Sequence, residues 1–148
     1  MTKITDQQIN ELLQSDEDQL LEQLGMRSAV VSRDVARSAD FQLSVKAADI
    51  AAMGIKDDMK VLGGKILRRW NRSAYELACG TDPDDSKSRE DLQKALGIGE
   101  GAAIAVLTAG LIGVGLMAAL APLVATIIVK KFFNPAYGEF CGYWKQKL

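Results

Sequence analysis

Few side chains in this chain could do chemistry, and their spacing excludes more than it suggests. Cys79 and Cys141 are the two thiols; they lie far apart, neither belongs to a CxxC pair, and the chain has no histidine. The common zinc patterns need thiolate or imidazole donors at short spacing and are therefore excluded. Each cysteine reads as a small buried hydrophobe in a reducing compartment. The lack of histidine also removes the usual general base, the ordinary serine and cysteine triads and the histidine pH switch. No catalytic residues, metal or cofactor are expected. Asp82, Asp84 and Asp85 could attract a divalent cation, but their spacing does not match a calcium loop. They read as exposed turn carboxylates.

One basic stretch stands out: Lys60, Lys65, Arg68, Arg69 and Arg72. On a helix Lys65, Arg68, Arg69 and Arg72 share a side, which could meet anionic headgroups or RNA, or simply stand in water. The formal net charge of −1 argues against general nucleic-acid binding, so nucleic acid is not an expected partner.

The elements that must carry these residues are helical, since no period-two alternation runs long enough for a sheet. The expected fold is all-α: a small N-terminal helical bundle, a Gly/Ala-rich apolar helix or helical hairpin, and a short aromatic C-terminal tail. Thr5 with Gln8 has the form of a capping box, and Ser15 with Asp18 could restart the helix. Ile9, Leu12, Leu13, Leu20, Leu21 and Leu24 then recur near helical spacing, in one helix or two short ones, until Gly25 ends the run. A second helix is expected from about Arg27 to Ala52, with Asp34 and Arg37 as an opposite-charge pair on its solvated side. A third is expected from Asp57 to Ala78, with Gly80 just past its end. Within it Gly63 and Gly64 cost about 1 kcal/mol each relative to alanine, marking a close helix crossing or a break.

Residues 80–88 read GTDPDDSKS, the clearest linker in the chain. A short helix from Ser88 to Leu96 and a GIGEG hinge, Gly97 to Gly101, complete the division: an N-terminal module over 1–79, a linker region over 80–101, an apolar segment over 102–129 and a basic, aromatic tail over 130–148.

The apolar segment carries the functional expectation. Ala102 to Val129 is 28 residues without a charge, with Thr108 and Thr126 as its only polar side chains, both able to bond back to helix carbonyls. As one helix it would extend about 42 Å, against a hydrocarbon core of about 30 Å. Ala105, Ala109 and Gly113, then Ala121 and Ala125, fall at intervals of four and would let a second helix approach closely, the logic of self-association in lipid. Pro122 removes a helix hydrogen bond and, with Gly113 and Gly115, leaves three geometries: a kinked span, a span with an interfacial end, or a hairpin. The tail holds six of the nine aromatic residues. Lys130, Lys131, Phe132, Phe133, Tyr143 and Trp144 are candidate anchors in the headgroup zone, or an aromatic helix packed back on the core.

The functional expectation is a membrane-associated, self-assembling helical protein. A lipid bilayer and further copies of the chain are its expected partners, and the N-terminal module would bind an unidentified protein. It shares only its general design with helical pore-forming effectors. Its first residues lack the basic start and apolar core of a secretory signal, so cytoplasmic synthesis followed by membrane association is expected. The alternative is a soluble helical adaptor or oligomerisation module in which 102–129 is buried as core or interface.

Overall fold

The computed structural model describes residues 6–33, 56–80, 86–132 and 140–146. Among the described residues there are seven helices and no strand: α1 (Asp6–Gln14), α2 (Glu17–Arg33), α3 (Lys56–Cys79), α4 (Ser86–Ile98), α5 (Glu100–Gly113), α6 (Ala121–Phe132) and α7 (Phe140–Gln146). The all-α expectation holds. Thr5, the Asp34–Arg37 pair, the linker aspartates Asp82, Asp84 and Asp85, and Phe133 lie outside the described residues.

The first break falls between α1 and α2, and its cap sits one residue later than the sequence suggests. Asp16, not Ser15, leads the helix: Asp16 Oδ1 accepts from the Gln19 backbone N–H at 2.8 Å, and Gln19 Oε1 accepts from the Asp16 N–H at 3.0 Å. This reciprocal pair satisfies two donors that the first turn leaves open.

Gly25 does not end a helix. It lies inside α2, which runs on to Arg33 and so joins the first expected helix to the second. The glycine is there for packing: a β-carbon on Gly25 would lie 2.7 Å from the carbonyl carbon of Met59, and one on Gly63 would lie 2.8 Å from that of Leu21. Leu21 and Gly25 are one turn apart on α2, Met59 and Gly63 one turn apart on α3, and the pairing order is antiparallel. Two backbones thus meet without intervening side chains. α3 stays unbroken, with Gly63 at the crossing and Gly64 beside open space.

The GIGEG hinge narrows to one residue, Gly99, because Gly97 belongs to α4 and Gly101 to α5. The apolar segment is not continuous either. Gly115, at φ 110°, donates to Ile112 O at 3.1 Å, and Leu116 donates to Leu111 O at 3.0 Å, the bond pair of a Schellman stop. Leu111 and Leu116, the residues whose contact usually accompanies that stop, are both buried. Pro122 then falls in the first turn of α6, where its missing N–H costs nothing. Of the three open geometries, the structure has two short helices packed on each other. At about 21 Å and 18 Å they fall short of the hydrocarbon core. No helix among the described residues is long and apolar enough to cross a membrane. The expectation of a membrane-spanning helix over 102–129 is corrected accordingly.

The core forms around α6. Every residue from Ala121 to Val129 is buried, covered mainly by α5 and further by α1, α2, α3 and α7. Ile9, Leu12, Leu20 and Leu24 reach it from the N-terminal helices, Ala74, Leu77 and Ala78 from α3, and Leu92 from α4.

Candidate functional site

The site to be built is the α5–α6 pair, its exposed turn and the residues that hold it. α5 is apolar on all sides but buries only one: Ala103, Ile104, Leu107, Thr108 and Leu111 face inward. Its outer side presents Ala109 and Gly113 to solvent, with Ala105 half-buried. The turn continues that surface, with Val114 45% and Met117 46% exposed and no charged residue between them. The small-residue series therefore divides: Ala105, Ala109 and Gly113 lie toward the outside of α5, whereas Ala121, Pro122 and Ala125 are enclosed.

The two threonines differ in their chemistry. Thr126 Oγ1 donates to Pro122 O at 2.7 Å, as its place in a helix allows. Thr108 Oγ1 is also enclosed and has no hydrogen-bond partner among the described residues.

At the far end of α6 the basic and aromatic residues have protein partners. Lys130 Nζ donates to Leu13 O at 3.0 Å and to Ser15 O, carbonyls at the end of α1. An ammonium supplies several donors to carbonyls that the last turn leaves free, and it opposes the helix dipole favourably. Lys131 is exposed and lies 3.4 Å from Glu17 in an ion pair of the kind that contributes little. Phe132 is buried, and Tyr143 is 40% exposed with its ring 6.1 Å from that of Phe132.

Trp144 is completely buried. Its ring stacks on Phe132 at 5.3 Å and 12°, meets the Tyr75 ring edge-on at 5.4 Å, and donates its indole N–H to Asn71 Oδ1 at 2.7 Å. The polar tip is satisfied while the ring fills the core, as a buried tryptophan requires.

The expectation of two separate buried thiols is corrected. Cys79 and Cys141 form a disulfide, with Cα atoms 5.8 Å apart although 62 positions separate them in sequence. The reason is the seating of α7. Asn71, Tyr75 and Cys79 recur every four residues along α3, and Cys141 and Trp144 are three apart on α7, so one docking surface brings both contacts together. That spacing of Asn, Tyr and Cys was the available signal for the seat of Trp144.

The basic residues Lys65, Arg68, Arg69 and Arg72 are all exposed on α3. Arg69 sits 5.9 Å from the Trp70 ring centre. Arg68 also borders an open groove of about 340 Å³ with Glu17, Leu21, Gly64, Leu67, Asn71, Lys131 and Phe132. Among the described residues no group of three or more His, Cys, Asp or Glu side chains could hold a metal ion.

No protein-family model matches the chain, and no match was found among curated proteins or among solved structures.

Proposed function

We propose that this protein is a membrane-active, self-assembling helical protein whose apolar hairpin is kept covered until it meets a bilayer. The observation that supports this reading most directly is the contrast within residues 102–129. α6 is enclosed from Ala121 to Val129, while the turn at Gly113, Val114, Gly115 and Met117 is exposed and uncharged. An apolar tip on a covered hairpin is the part that can contact lipid first. The outward residues of α5, Ala105, Ala109 and Gly113, then permit close approach of a second copy. The exposed cations of α3 add attraction to anionic headgroups, roughly 1 kcal/mol per residue near the surface.

Vesicle flotation tests this. The full chain should float with vesicles of phosphatidylglycerol and phosphatidylcholine, and Val114→Asp with Met117→Asp should reduce the floated fraction at least about tenfold, because each buried carboxylate opposes insertion. Failure to float under any lipid composition would remove the membrane reading.

A second reading, a helical adaptor or oligomerisation module, is supported by a specific observation as well. The enclosure of α6 by five helices of its own chain is what a core helix needs without any lipid. It predicts a chain that ignores vesicles and a partner that engages the N-terminal helices.

A further inference from the structure

We propose that the Cys79–Cys141 disulfide is a reductively opened latch on the apolar hairpin. The proposal rests on the membrane-active reading for its purpose, though not for its mechanics. The covalent loop from Cys79 to Cys141 contains all of α4, α5 and α6, so both apolar helices lie inside a closed ring anchored at the end of α3.

The element that closes the ring is weak on its own. α7 has seven residues, too few for a helix to persist without outside support. Among the described residues it is held by the bond to Cys79, by Trp144 wedged among Asn71, Tyr75 and Phe132, and by the Tyr143 ring against Phe132. Phe132 is the last residue of α6, so the tryptophan rests directly on the end of the helix being held. In the loop-entropy account, closing a ring of this length favours the folded arrangement about a thousandfold. Opening it leaves α7 held only by its non-covalent contacts.

Both sulfur-bearing residues are half-buried, and the latch requires that an attacking thiolate reach one of the two sulfurs. The co-reactant is a dithiol. One of its thiolates attacks a sulfur of the Cys79–Cys141 bond and forms a mixed disulfide; its second thiol then displaces the protein thiolate. Two electrons and two protons pass to the protein, giving two cysteine thiols, and the dithiol becomes a disulfide. The expected sequence is a closed form in an oxidising setting and an opened one on passage into a reducing setting.

Hydrogen exchange on the full chain, with and without a dithiol reductant, tests the latch independently of lipid. On reduction, the amides from Leu123 to Val129 should lose protection at least about 100-fold while the far-ultraviolet helix signal persists, and re-oxidation should restore them. Cys141→Ser should match the reduced protein. Protection unchanged by reduction, or a collapse of helicity throughout the chain, would overturn the proposal.

Dye-loaded vesicles of phosphatidylglycerol and phosphatidylcholine separate the latch from the reading beneath it. Leakage confined to the reduced form supports both. Exposure of α6 without leakage keeps the latch and removes the membrane reading. Equal leakage from both forms removes the latch and keeps the membrane reading.

Discussion

Gly63 packs against the backbone of Leu21 so closely that a β-carbon on the glycine would lie 2.8 Å from the Leu21 carbonyl carbon. The next residue, Gly64, would place its β-carbon in open space. Adjacent positions on one helix therefore carry opposite expectations. Gly63→Ala must push α2 from α3 and should destabilise by roughly 1–3 kcal/mol. Gly64→Ala keeps the crossing and gains about 1 kcal/mol of helix propensity. Thermal unfolding should show the midpoint of the first falling by roughly 2–12 °C and that of the second rising by about 2–4 °C. Equal effects would mean that the helices do not cross there.

Lys130 binds the carbonyls of Leu13 and Ser15 across more than a hundred positions of sequence. Lys130→Met preserves most of the apolar stem but removes every donor. The end of α1 then loses its cap, for an expected cost of about 1–2 kcal/mol after allowance for partial exposure. Amide exchange should accelerate around Leu12 to Asp16 well before it does in α3. An unchanged exchange pattern would show that water replaces the amine without loss.

The helical content could be read from residue periodicity because α3 and α6 obey local rules: an apolar stripe, a glycine past the end, a proline in the first turn. What could not be read was tertiary. Gly25 looks like a stop signal, since glycine is costly inside a helix, yet the approach of Met59 from a distant segment outweighs that cost. Cys79 and Cys141 look unrelated until Trp144 is seated beside Tyr75. Lys130 and Trp144 have the composition of a membrane edge, and composition cannot reveal that the Ser15 carbonyl and the Asn71 side chain receive their donors. The division of 102–129 was partly visible, because Pro122 and Gly115 both disfavour a continuous helix. Only the Schellman bonds fix where α5 ends.

The two threonines of the apolar pair make an internal comparison. Thr126 bonds to Pro122 O, and Thr108 has a buried hydroxyl with no partner among the described residues. Replacing Thr108 by valine retains the shape and removes an unsatisfied group, so a gain of about 1 kcal/mol is expected. Thr126→Val loses a made bond near the start of α6 and should cost roughly 1 kcal/mol. Chemical denaturation of both variants measures the sign difference. A loss in both would show that the Thr108 hydroxyl has a partner in solution.

Gly115 sits at the turn where the apolar segment folds back. Its φ of 110° is a conformation that an L side chain rarely adopts, and its N–H closes on Ile112 O. Gly115→Ala should therefore destabilise the turn by roughly 1–2 kcal/mol. The same substitution is favourable in a helix, by about 1 kcal/mol. The combined effect shifts the balance from two short helices toward one that continues α5 to the residues before Pro122, a rod of about 32 Å if helical throughout. Circular dichroism in detergent micelles should show more helix for Gly115→Ala than for the parent, while unfolding in water begins earlier. If the variant gains no helix in micelles, the turn is held by the covering helices and not by Gly115.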